Sequence, residues 1–184
     1  MIGVDQIGQW YGLKQLQTSK EVRNHRCGST FHEAKTICLI YLDRDEAFYN
    51  QVKAYVKFLH SEYGMRRVCA LGYVNKKAKH VPVYQSQKLE YQFFTKNDTN
   101  WFQKPVSNVE VFLNESFDIL IDLNMSESLS LDYIVRESRS KMKVGSRQKR
   151  HSHLYDILID VRASQSVGPY IDQVNFVLNN FRLK

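Results

Sequence analysis

Two groups of residues in this chain have the types and spacing to do chemistry. The first is acidic. Asp43 and Asp45 follow the apolar run TICLIYL, and Asp122 and Asn124 close the run FDILIDLN. Carboxylates at the end of a buried strand can hold a cation or share proton transfer as an acid–base pair. The same residues also suit structural work: Asp43 and Asp45 stand where a helix cap belongs, and Asp122 and Asn124 where a turn is fixed. The second group is basic. SRSKMKVGSRQKRHSH, Ser138 to His153, carries Arg139, Lys141, Lys143, Arg147, Lys149 and Arg150 and no acid, and a shorter stretch holds Lys76, Lys77, Lys79 and His80. Such runs attract phosphates, and His151 and His153 add charge in mildly acidic conditions. Trp101, in the polar segment TKNDTNWFQKP, offers a ring on which a base can stack.

Other chemistries find little support. Neither G-x-G-x-x-G nor G-x-x-x-x-G-K-[ST] occurs, and there is no G-x-S-x-G elbow, which argues against dinucleotide, P-loop and hydrolase chemistry. His25, Cys27, His32 and Cys38 crowd together at spacings that fit no zinc site. No metal and no cofactor are expected. The strand ending in Asp43-Arg44-Asp45 resembles the nucleophile motif of haloacid-dehalogenase-type phosphatases. Glu46, however, stands where that family has Thr or Val, and no later acidic pair follows an apolar strand to hold magnesium.

The elements that must position these residues follow from hydrophobic periodicity. Gln6–Asn24 reads as an amphipathic helix with Ile7, Trp10, Leu13 and Leu16 inward; it docks on its own domain or reaches a partner. Strands are expected at Thr36–Asp43, Arg67–Val74, Leu89–Thr95, Phe117–Asn124, Met142–Gly145 and Tyr155–Val161, with weak strand character at Val83–Tyr84. Helices are expected at about Glu46–Tyr63, Asn108–Asn114 and Leu129–Ser140, and a last one begins at Gly168–Pro169 with Pro at its first position. Phe117–Leu123 and Tyr155–Val161 share an aromatic-Asp-Ile-Leu pattern in dissimilar flanks, so they read as two similar strands, not a duplication. Strands alternating with helices predict an α/β fold: a three-layer, mostly parallel sheet of about five strands, Rossmann-like or flavodoxin-like. Residues 1–30 form an N-terminal helical extension and residues 31–184 a single domain in this reading.

Composition bounds the rest. A chain of 184 residues with 43% hydrophobic content can bury a real core without staples. The formal net charge of +7 favours anionic partners without specifying one. Three cysteines, two of them inside apolar runs, and the lack of a signal-like N-terminus suggest the cytoplasm. No stretch is long and apolar enough to span a bilayer.

Two resemblances rest on particular residues. The basic N-terminal helix, the D-x-N-W-F loop (Asp98-Thr99-Asn100-Trp101-Phe102), the FDILI strand and the K-x-K-V-G turn (Lys141 to Gly145) are similar to those of an uncharacterised bacterial family of unknown function, covering most of the chain. That family implies no activity. Phe117–Gly145 is similar to the core of the N-terminal domain of heptosyltransferases, where a YDLVIDLQG-type strand precedes a helix and an AKRRIG-type strand. This implies a strand–helix–strand unit; Asp43-Arg44-Asp45 departs from that family's polar-small loop, and no nucleotide-sugar-binding domain is expected.

The expectation is a non-catalytic binding module that docks its basic loops on an anionic partner: RNA, a ribonucleoprotein or an acidic protein. Lys76, Lys77, Arg147, Lys149 and Arg150 would position phosphates. The alternatives are a small enzyme or nucleotide or sugar-phosphate binder using Asp43, Asp45 and Asp122, and an assembly subunit anchored by its N-terminal helix.

Overall fold

Six short apolar runs pair side by side in one direction. In a computed structural model, which describes residues 4–18, 30–85, 88–148, 151–160 and 166–180, β1 (Thr36–Leu42), β2 (Arg67–Val74), β3 (Tyr91–Thr95), β4 (Ile119–Asp122), β5 (Met142–Ser146) and β6 (Ile157–Ile159) form a single sheet. Their order is β3-β2-β1-β4-β5-β6 and every pairing is parallel. The sheet has six strands where about five were expected, and each falls on one of the segments read as a strand; β6, at the edge, is only three residues long. Tyr155–Val161 is thus an edge strand, not a core strand, and its Leu158 faces solvent.

Parallel neighbours need crossovers, and these supply the two outer layers. α2 (Glu46–Tyr63) and α5 (Val167–Asn180) cover one face, burying Ile37, Leu39, Tyr41, Ile119 and Ile121. α3 (Glu110–Asn114) and α4 (Leu129–Glu137) cover the other, over Cys38, Ile40, Cys69, Leu71 and Leu120. Central strands are buried on both faces, hence their continuous apolar runs. Cys38 and Cys69 lie side by side in register, and burial pushes both thiols up, so they behave as small apolar residues.

α2 shows how local sequence fixes an element. Asp45 Oδ1 accepts from Phe48 N at 2.8 Å, capping the start. Phe48, Val52, Tyr55, Val56 and Leu59 form the buried stripe, each contributing about 1.5–3 kcal/mol. Gly64 ends the helix in the left-handed region, φ 59°. Other boundaries shift: α4 stops at Glu137, Val83–Tyr84 forms a turn, and α5 begins at Val167, leaving Pro169 at its third position.

The repeated aromatic-Asp-Ile-Leu pattern has a common physical role. Asp118 Oδ2 accepts from Lys35 N (2.8 Å), Thr36 N (2.9 Å) and Thr36 Oγ1 (3.0 Å) at the start of β1. Asp156 Oδ2 accepts from Lys143 N at 2.8 Å at the start of β5. Each carboxylate hooks the neighbouring strand's first amides and so sets a parallel register. Phe117 and Tyr155, just before these acids, are both buried beneath the α3–α4 layer.

Burial raises the Asp118 carboxyl, but the Lys141 ammonium and these amide and hydroxyl donors outweigh it and hold it at about 2, below its ordinary 3.8. Its stabilisation is complete above about pH 4 and is lost as pH falls through about 2. Asp118→Asn is expected to lower stability by about 1–2 kcal/mol at pH 7 and to flatten stability against pH between 4 and 2, read by urea denaturation. An unchanged acid limb would mean that Asp118 does not set the register.

Candidate functional site at the carboxyl edge of the sheet

The four strand-end polar residues are held apart and engaged. Asp43, half-buried on the α2–α5 face, accepts from Gln85 Nε2 (2.7 Å) and Tyr84 Oη (3.1 Å). Burial raises its carboxyl, and these two bonds only partly offset that. Asp45 caps α2. Asp122 is fully buried and accepts from Tyr155 Oη (2.6 Å) and Asn124 N (2.8 Å). Asn124 closes a turn, accepting from Ser126 Oγ (2.8 Å) and donating to Ser126 O (2.7 Å). Tyr155 reaches Asp122 by lying across β5 at Gly145, where a Cβ would meet its ring at 2.4 Å. Of the expected roles, Asp45 caps α2 and Asp122 and Asn124 fix a turn, but Asp43 caps nothing and is held instead by the Gln85 and Tyr84 side chains.

The long basic run is dispersed as well. Lys143 is buried, 1% exposed, with Nζ donating to Val135 O at 2.6 Å, so it leaves the surface set. Lys141 pairs with Asp118 at 2.8 Å, and with exposed Arg139 it lies at the amino end of β5. Arg147 is exposed at the opposite, carboxyl end, 4.0 Å from Asp160. Lys149 and Arg150 lie outside the described residues, as do residues 19–24 of the expected N-terminal helix.

Two cavities open on the carboxyl edge among the described residues. One is a shallow depression of about 570 Å³ lined by Lys76, Lys77, Lys79, His80 and Lys96, all exposed. No acidic residue lines it among the described residues. Lys96 sits just after β3 in a turn built by Thr95 and Asp98, whose side chains exchange bonds with each other's backbone amides. The other is a crevice of about 530 Å³ over the ends of β1 and β2, on the α4 face. Leu42, Tyr73 and Asn75 form its floor, Glu127, Ser128 and Asp132 of the α4 entry one wall, and Lys96 and Trp101 another. Lys96 borders both cavities. Among the described residues no cluster of three or more His, Cys, Asp or Glu could hold a metal.

The last wall is α1 (Val4–Thr18), whose Gln9 and Leu13 face the crevice. The helix docks on its own domain with half of the predicted stripe: Leu16 is buried and Leu13 half-buried, but Ile7 and Trp10 are 50% and 57% exposed. Lys14 Nζ instead covers the Trp10 ring at 4.1 Å. The inward positions are Gly8, Gly12 and Leu16. A Cβ on Gly8 would lie 2.6 Å from Trp101 O, and one on Gly12 would lie 2.4 Å from Phe102 O. This approach lets Tyr133 Oη donate to Gly12 O at 2.7 Å and Tyr11 stack on Trp101, centroids 5.0 Å apart. Trp101 thus neither folds into the core nor stands free: one face is taken by Tyr11, and the residue is 62% exposed.

Sequence reasoning found the Lys76–His80 stretch and Trp101, but not Lys96 or the polar residues of the crevice walls. The usable signal was Asn75, a polar residue directly after an apolar strand. The Asn, Gln and Ser side chains come from separate loops that only the fold brings together.

A parallel sheet in this order, with helices on both faces and a crevice at its carboxyl ends, defines the Rossmann-like α/β class. Residues 5–180 match the family described as a family of unknown function (DUF6913), and the chain belongs to it. No curated protein and no solved structure matches the chain significantly. Phe117–Gly145 forms β4, α4 and β5, no likeness to heptosyltransferases is found, and the family match brings no activity with it. No helix among the described residues is long and apolar enough to cross a membrane.

Gly12→Val should push α1 off the Phe102 carbonyl and cost about 1–3 kcal/mol in urea denaturation, with a change in tryptophan emission. Valine is no worse than glycine in an isolated helix, so unchanged stability would show that α1 does not dock this closely.

Proposed function

We propose that this protein is a non-catalytic binding module that docks the carboxyl edge of its sheet on RNA. The observation that carries this reading is the depression framed by Lys76, Lys77, Lys79, His80 and Lys96 with no acid in its lining. Four ammonium groups around one hollow repel each other, and an anion that neutralises them lifts that cost. Arg147 stands on the same edge, with β1 and β4 between its strand and β2. Strands lie about 4.8 Å apart, so it stands roughly 14 Å along the edge, within reach of a neighbouring phosphate of one strand. The exposed side of Trp101, beyond the Lys96 turn, supports base stacking.

Fluorescence anisotropy with a single-stranded RNA tests this. Four lysine–phosphate contacts predict a slope of log affinity against log salt of about −3. Lys76→Glu with Lys77→Glu should weaken binding at least tenfold, while Lys57→Glu on the exposed side of α2 should not. Absent or salt-insensitive binding would refute the reading, and equal affinity for polyglutamate would favour an acidic protein partner.

A further inference from the structure

Several polar side chains lining the crevice beside the lysine depression keep donors or acceptors unbonded among the described residues. Asn75 accepts from Tyr73 Oη at 3.2 Å, which leaves its amide NH2 unused. Asn100 spends its oxygen on Phe102 N (3.2 Å) and Lys104 N (3.0 Å), and its NH2 is likewise unspent. The Gln103 carboxamide makes no side-chain bond, although its main-chain oxygen receives Ser130 Oγ at 2.8 Å. Ser128 begins α4 without using its hydroxyl as a cap. Glu127 and Lys96 line the crevice, and neither forms an ion pair among the described residues. Polar groups left over for stability would point into bulk solvent from scattered sites; here they face one space.

Charge is graded across that space. Lys96 stands on the β3 side, continuous with Lys76, Lys77, Lys79 and His80, whereas Glu127 and Asp132 stand at the entry to α4, which follows β4. Between them lie amides and hydroxyls together with the apolar side chains of Leu13, Leu42 and Leu129 and the His151 ring. A ligand that fits has an anionic end toward β3, and a neutral body that accepts from NH2 groups and donates to carboxylates. Ring hydroxyls do both, since each is one donor and two acceptors. A volume near 530 Å³ suits one small molecule.

We infer that the crevice binds a phosphomonoester carried on a hydroxylated ring, with the phosphate on Lys96 and the ring hydroxyls between Asn75, Asn100 and Glu127. The ring is that of a free sugar phosphate or the ribose of a nucleotide. This site is separate from RNA docking, sharing only Lys96, and neither requires the other.

Isothermal titration of the full chain with ribose 5-phosphate, adenosine 5′-monophosphate and inorganic phosphate tests it. Either organic phosphate should bind at least tenfold tighter than inorganic phosphate, and the tighter of the two names the source. Lys96→Ala and Asn75→Asp should each weaken that ligand about tenfold or more, the second by removing a donor while keeping the acceptor for Tyr73. Glu127→Gln should weaken it less, because the amide oxygen still accepts. Binding no tighter than inorganic phosphate, or unmoved by Asn75→Asp, overturns the inference. Because Asn75 and Glu127 lie outside the lysine depression, and Lys76 and Lys77 outside the crevice, loss of RNA binding and loss of sugar-phosphate binding are separable.

Discussion

The carboxyl end of β4 is where both halves of the sheet and both helical layers are joined. Asp122 has no solvent exposure, and its carboxylate receives the Tyr155 hydroxyl from the α4 side and the Asn124 amide from its own turn. Its main-chain oxygen receives the Tyr170 hydroxyl of α5, from the opposite face, at 3.0 Å. A buried carboxyl without such donors would cost several kcal/mol, so the carboxylate depends on Tyr155 and the Asn124 amide, while Tyr170 satisfies the main-chain oxygen. Tyr155 arrives because Gly145 presents no side chain where its ring crosses β5. Burial pushes the Tyr155 phenol well above its ordinary value, with the charges of Asp122 and Asp132 adding to this, so the hydroxyl remains a donor.

That knot displaces the open space at the carboxyl edge. Doubly wound sheets commonly receive ligands where the strand order reverses, here between β1 and β4. On the α2–α5 face, the β1 side of that point is closed by Asp43 with Tyr84 and Gln85, and the β4 side is filled by the Asp122–Asn124–Ser126 turn. What stays open is on the α4 face, over β1 and β2, where α1 and the Asn100–Gln103 loop form walls instead of a plug.

Much of this fold was legible from residue types because single-residue rules sufficed: continuous apolar runs for buried parallel strands, Asp45 and Gly64 for the ends of α2, and a repeated aromatic-Asp-Ile-Leu for two strands that copy one register device. The misreadings have equally local causes. A hydrophobic stripe was sought on α1, yet Gly8 and Gly12 do the docking, and a residue that works by having no side chain is invisible to hydrophobic periodicity. The basic run from Arg139 to Arg150 looked like one patch because sequence distance was taken for spatial distance. β5 runs through it, and five residues of extended chain, at about 3.3 Å each, carry Arg139 and Arg147 to opposite edges while burying Lys143 between the helices. A charge cluster survives folding only when no strand passes through it, as the loop at Lys76–His80 shows.

The candidate site was hidden for a related reason. Its groups are uncharged or singly charged side chains from six separate segments, each unremarkable where it stands in the chain. The strand-end carboxylates, conspicuous in sequence, are spent on caps, turns and the Asp122 knot, because a carboxylate is the strongest acceptor available for an exposed backbone amide. Asn and Gln side chains are weaker competitors for such amides, and where they remain unspent around a concave space the backbone has already been satisfied by other means. Asn100 shows both conditions in one residue: its oxygen holds the loop's own amides, and the residue lines the crevice with its NH2 unbonded among the described residues. Unspent donors and acceptors, more than conspicuous charge, are therefore the better guide to where this fold can take a ligand.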